Sequence, residues 1–129
     1  MMTHAAIALV ETNMSTQPES VPSLRELAAR AEALQPLLSK NAAQSDKNRR
    51  ASEENIRAID EAGLFRLMVP KRYGGYEGTL RSHLEVSAAL GEGCGGTAWV
   101  VALINVCAWF TGLFAQRAQD EVFGANPAA

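Results

Sequence analysis

The stretch Asp60-Glu61-Ala62-Gly63-Leu64-Phe65-Arg66-Leu67-Met68-Val69-Pro70-Lys71-Arg72-Tyr73-Gly74-Gly75 decides the reading of this chain. Gly63 stands where a helix needs a left-handed residue just past its end, and Leu64 can then pack back on the last turn. Leu64 to Val69 is apolar and is expected to lie partly extended across the core. Pro70 excludes helix and biases Val69 toward extended backbone. Gly74-Gly75 then provides the positive φ of a sharp turn.

Upstream, Ser23-Leu24-Arg25-Glu26 fits a capping box, with Ser23 as N-cap and Glu26 at the third helical position. Leu24, Leu27, Ala31, Leu34 and Leu38 follow as one apolar stripe. Pro36 lies inside the pattern and should kink it. The end of this helix is polar, from Lys40 to Arg50, and reads as a solvated face, with an interdomain contact for Arg49 and Arg50 as the alternative. A second helix starts at Ser52, with Glu53 and Glu54 in its positive first turn and Ile56 and Ile59 facing inward.

Downstream, Thr79 caps a third helix. Leu80, Leu84, Ala88 and Gly91 mark its inner side, widened by Val86 and Leu90. The glycines from Gly91 to Gly96 are expected to break it, since each costs about 1 kcal/mol in a helix. Thr97 is expected to cap a fourth helix. From Gly93 to Gln116 there are 24 positions without a charge. Apolar side chains surround this helix, which marks it as buried by protein. A membrane span is disfavoured by Thr97, Asn105 and Thr111 and by the lack of basic flanks. A short last helix, Gln116 to Phe123, ends at Gly124. The prediction is an all-α protein of about four to five helices with no strand.

Composition narrows the function classes. With 129 residues the chain is one domain by size. A net charge of −2 and 6% aromatic residues give neither a phosphate-neutralising surface nor a base-stacking platform, so no nucleic acid is expected. Cys94 and Cys107 have no partners at metal-ligand spacing and read as free, buried thiols of a cytoplasmic protein. His4 lies in the leader and His83 is expected on an exposed helix face. Glu85 and Glu92 form no visible acid–base pair. Gly91-x-Gly93-x-Gly95 follows no strand and is not a dinucleotide fingerprint. No catalytic, cofactor-binding or metal-binding residues are identified. Residues 1–22 read as a disordered leader without the basic start of a signal peptide.

From about Leu24 onward the chain resembles the N-terminal domain of acyl-CoA dehydrogenase-fold flavoproteins. Within that fold it is most similar to the flavin-dependent monooxygenase branch, the two-component hydroxylases. Carrying the resemblance are Gly95-Gly96-Thr97-Ala98-Trp99-Val100, then Trp109 and Leu113-Phe114. The closing motif is Ala118-Gln119-Asp120-Glu121-Val122-Phe123-Gly124. Acyl-CoA dehydrogenases proper tend to close on Gly-Thr/Ser-Glu-Gln-Lys instead. The resemblance implies a middle β-barrel and a C-terminal helical bundle outside this chain, with residues 23–129 as the helical domain. It implies reduced flavin, FMN or FAD, in the complete protein and none on this segment alone, which should then be inactive by itself. A flavin reductase component and a homo-oligomer are the implied partners, and no membrane is. In the hydroxylases a histidine of the fourth helix often faces substrate and flavin edge, and Cys107 stands at the matching position here. Trp99, Leu103, Cys107 and Phe110 are the implied wall of a substrate pocket, with plain core packing as the other reading. The implied function is that of the pocket domain of a monooxygenase acting on a small aromatic or heterocyclic compound. The N-terminal domain of an acyl-CoA dehydrogenase and a non-catalytic helical interaction module are the alternatives.

Overall fold

The computed structural model describes residues 20–126, and most of the expected leader lies outside them. Among the described residues there are five α-helices and no strand. They are α1 (Leu24–Asn48), α2 (Glu53–Glu61), α3 (Leu80–Gly93), α4 (Gly95–Thr111) and α5 (Gln116–Phe123), with 3-10 turns at Leu64–Arg66 and Lys71–Tyr73.

The start of α1 is the capping box read from sequence. The Ser23 N–H donates to Glu26 Oε2 at 2.6 Å, and the Glu26 N–H donates to Ser23 Oγ at 3.2 Å. The helix passes through Pro36 as a single element. Packing holds it on both sides of that residue, chiefly against α3. Gln35 Nε2 donates to the Ala89 carbonyl at 2.9 Å, and Ser39 Oγ donates to the Gly93 carbonyl at 3.0 Å. The Gly93 carbonyl lies at the very end of α3, where no intrahelical donor remains, and Gln35 adds a second donor to the Ala89 carbonyl one turn before.

The same contact explains why α3 survives its glycines. It continues through Gly91 and Gly93, and only Cys94 separates it from α4. A Cβ on Gly93 would lie 2.9 Å from Gln35 backbone atoms, so glycine permits the close approach of α1. The expected break over Gly91–Gly96 is therefore corrected to one residue. Packing against α1 offsets the intrinsic glycine cost. Thr97 is not a cap either; Cys94 is the N-cap of α4, and Thr97 lies buried in the first turn.

Thr79 and Ser52 cap their helices as expected, with their side chains accepting from the Ser82 and Asn55 N–H groups. Gly63 takes the left-handed conformation at φ 74°, and a Cβ there would meet the Tyr76 hydroxyl at 2.1 Å. The segment from Leu64 to Val69 does not extend. It coils in a 3-10 turn and bends, burying Leu64, Phe65, Leu67, Met68 and Val69. The chain then folds back on it, with the Gly78 N–H donating to the Leu67 carbonyl at 2.8 Å and the Glu77 N–H to Val69 at 2.9 Å. These bonds satisfy a buried irregular backbone that a strand would have left open.

The core joins Leu27, Ala31 and Leu38 of α1, Ile59 of α2, the Leu64–Met68 coil, Val86 and Leu90 of α3, and Ala98 and Val101 of α4. A smaller cluster unites Val69, Ala108 and Phe123, with Tyr73 against it. Val86 and Leu90 face inward as expected, but the rest of the inner side of α3 differs. Ser82, His83, Val86 and Leu90 are buried, whereas Leu80 and Leu84 face outward. Both sets have helical spacing, and only the packing partner distinguishes them.

Candidate functional site

The uncharged helix α4 is two-faced. Thr97, Ala98, Val101, Asn105 and Ala108 are buried against the rest of the molecule. Trp99, Leu103, Cys107 and Phe110, at spacings of 4, 4 and 3, form an outward stripe on the other side. Trp99 is 68% exposed, Leu103 49% and Phe110 51%. The structure thus brings all four sequence-identified residues onto one face, and none of them is core. Cys107 is exposed, not buried as expected for a bland thiol, and both cysteines are free.

The stripe continues past the end of α4. The Trp109 and Phe110 rings lie 5.1 Å apart at 56°, and Leu113 and Phe114 are exposed beyond them. An apolar patch of this kind on a small domain marks a surface that meets another group. Its chemistry is spare. Cys107 contributes a weakly donating thiol. The Thr111 hydroxyl is committed to the Cys107 carbonyl at 2.9 Å. The stripe can stack on and exclude water from an apolar or aromatic partner, but it holds no strong acid, base or nucleophile.

Buried amides set its orientation. Asn105 is 1% exposed. Its Nδ2 donates to the Leu64 carbonyl at 2.9 Å and the Val101 carbonyl at 3.1 Å, and its Oδ1 accepts from the Met68 N–H at 3.2 Å. This one side chain ties α4 to the coil after Gly63. Near the start of α4, Asn41 Nδ2 donates to Asn55 Oδ1 at 2.9 Å, and Asn55 Nδ2 donates to Thr97 Oγ1 at 3.3 Å. Three helices are joined by that chain. Sequence reading saw Asn105 only as a diluent of an apolar run; an amide inside such a run was the available signal.

The closing motif has a physical role at the other end. Gln119 Nε2 donates to the Gly112 carbonyl at 3.1 Å and the Phe114 carbonyl at 2.7 Å, and Gln119 Oε1 accepts from Arg72. The Tyr73 hydroxyl donates to Asp120, and the Tyr73 and Phe123 rings lie 5.2 Å apart. The motif clamps the turn that carries Leu113 and Phe114. It fixes the outer edge of the stripe and does not touch its face.

The other sequence candidates fall elsewhere. His83 is buried on α3 with Nδ1 unpaired, and burial pulls its pKa below the ordinary 6.5. Among the described residues no cluster of three or more His, Cys, Asp or Glu could hold a metal, and no helix is long and apolar enough to cross a membrane.

Residues 23–124 match the family model described as acyl-CoA dehydrogenase, N-terminal domain. The oxygenase subunit HsaA of a flavin-dependent monooxygenase from Rhodococcus jostii is 35% identical over 95 residues, covering 74% of this chain and 25% of that protein. The oxygenase component of p-hydroxyphenylacetate 3-hydroxylase from Acinetobacter baumannii is 33% identical over 123 residues, covering 95% and 28%. The crystal structure of HsaA monooxygenase from M. tuberculosis superposes with a TM-score of 0.79 at 31% identity, covering 84% of this chain and 30% of that one. The chain spans about a quarter of the length of the curated relatives it matches.

Proposed function

The chain belongs to the acyl-CoA dehydrogenase N-terminal domain family, and on that footing we propose that it forms one wall of the substrate pocket of a reduced-flavin-dependent monooxygenase. The substrate is a small aromatic or heterocyclic compound. The observation that carries this reading is the outward stripe Trp99, Leu103, Cys107 and Phe110 on a helix whose opposite face is anchored by Asn105. An apolar, uncharged surface held on an anchored helix suits the flat face of an aromatic ring. The similarity to oxygenase components named for p-hydroxyphenylacetate and resorcinol supports the same class.

The stripe does not fit a flavin cradle. It offers no cationic group for a phosphate and no strong donor for a ring nitrogen, because no charged residue stands between Gly93 and Gln116. Flavin, FMN or FAD, would be held by the middle and C-terminal domains that the resemblance implies, and residues 23–129 would act as the pocket domain beside them. The segment alone is then inactive. This chain's own part is to orient the ring and exclude water. A reductase component and a homo-oligomer belong to the same reading.

Cys107→His, placed in a protein that joins this domain to the implied remainder, tests the wall. The expected result is a change in substrate affinity and in the ratio of product to reduced flavin consumed. Unchanged affinity and coupling would remove Cys107 from the pocket. Incubation with reduced flavin, oxygen and candidate aromatics, and separately with an acyl-CoA, tests the class. Flavin reduction by the acyl-CoA would favour the dehydrogenase branch.

A further inference from the structure

We propose that the outward side of α3 pairs with the same side of a second copy of this chain, the two helices running antiparallel across a two-fold axis. This gives the homo-oligomer of the proposed function a definite face. It rests on α3 and not on the monooxygenase reading, and it uses none of the residues of the Trp99 stripe.

The face is the one that the sequence offers as an inner side and the fold leaves outside. α3 turns Ser82, His83, Val86 and Leu90 inward and packs on α1 and α4. Leu80, Leu84, Ala88 and Gly91 follow one another at helical spacing on the other side, and all four are exposed. Leu80 is 66% exposed and Leu84 59%. An apolar row with no cover inside its own domain marks a contact surface.

Side-chain size names the partner. The large residues stand in the first half of the row and the small ones in the second. A parallel pair would set leucine on leucine and glycine on glycine, leaving the second half open. An antiparallel pair with its axis near residue 86 sets Leu84 on Ala88 of the second copy and Leu80 on its Gly91. At a rise of 1.5 Å per residue, Leu84 and Ala88 each lie about 3 Å from that axis, and Leu80 and Gly91 about 9 and 7.5 Å. A two-fold interface has this reciprocity, because residue i meets j and j meets i.

Gly91 supplies a second, independent observation. A Cβ there would meet only Ala98, at 3.9 Å, so nothing within the domain requires glycine. Glycine inside a helix costs about 1 kcal/mol against alanine. Room for an opposing leucine accounts for it.

Charge agrees with the same register. Arg81 and Glu92 are both exposed and stand three turns apart on one flank of the row. Antiparallel pairing about this axis brings like flanks together, so Arg81 of each copy faces Glu92 of the other. Glu92 Oε2 accepts from Gln35 at 3.3 Å, and a carboxylate has further lone pairs for a second donor. Glu85, between them, is balanced by Arg81 of its own helix at 2.7 Å.

Sedimentation velocity on the 129-residue chain carrying Leu103→Glu, under reducing conditions, tests the pairing. The substitution blocks association through the Trp99 stripe, and the reductant prevents a disulfide at the exposed Cys107. A reversible dimer should form as the concentration rises toward about 1 mM. Leu84→Glu should abolish it. Ala88→Leu adds apolar surface but occupies the place of the opposing leucine, so it should weaken the dimer about tenfold. A non-specific apolar contact would be tightened by that same change. Arg81→Glu should weaken the dimer about fivefold, and adding Glu92→Arg should restore most of the loss. Circular dichroism melts confirm that each variant is folded. A monomer at every concentration, a dimer that survives Leu84→Glu or is tightened by Ala88→Leu, or a charge swap without rescue would overturn the assignment.

Discussion

Asn105 shows how much one side chain can determine. It fills its hydrogen-bonding capacity inside the core, and replacing it leaves the Leu64 carbonyl and the Met68 N–H unpaired. Asn105→Ala should cost about 2–4 kcal/mol, from lost bonds and buried unsatisfied groups. Urea denaturation followed by circular dichroism measures it, and a loss under 1 kcal/mol would contradict the anchoring role. His83 makes a second prediction. Its folded-state pKa is depressed, so the unfolded chain binds the proton more readily, and stability is complete above the unfolded value of 6.5. Stability should decline as pH falls from there toward the folded pKa. His83→Gln should flatten the decline, seen as urea midpoints that no longer differ between the two sides of that pH. Sequence placed His83 on the surface because Leu80 and Leu84 offered an equally periodic inner face. The identity of the covering helix, α1, lies outside any local pattern. The Ser23 box and Gly63 were legible for the opposite reason: each is satisfied within four residues of itself.

At the level of elements, the junction of α3 and α4 separates local propensity from tertiary demand. Gly93 is needed where α1 comes close, whereas Gly95 and Gly96 have open space where a Cβ would stand. Gly93→Ala should destabilise the fold by about 1–3 kcal/mol through overpacking. Gly96→Ala should stabilise it by about 0.5–1 kcal/mol, since alanine loses less backbone entropy in a helix. Thermal melts of the two variants decide this, and a shared sign would refute the distinction. The uncharged run was legible as α4, and the four residues proposed as pocket wall do share a face. What could not be read was which half of an all-round apolar helix its own domain would cover. Hydropathy does not register that asymmetry; the polar residues Thr97 and Asn105, on the buried face, do.

For the whole molecule, the exposed apolar stripe and the clamped turn beside it form a surface fit for a neighbour. Burial of such a surface contributes roughly 25 cal/mol per Å². Isolated in solution, the chain should self-associate, and Leu103→Glu should shift it toward monomer without lowering its melting temperature, because Leu103 supports nothing in the core. Light scattering across a concentration series reads this; a monomer at every concentration for the parent chain would count against it. The family membership and the fold rest on residues 23–124 together.

Both tryptophans of the chain, Trp99 and Trp109, sit on α4 and are 68% and 46% exposed. In the monomer their indoles are therefore largely wetted already, and its emission spectrum should move little when the fold melts. The same spectra should shift sharply to the blue, and lose acrylamide quenching, when anything settles on that helix. The chain carries an intrinsic optical probe of docking that is almost blind to unfolding.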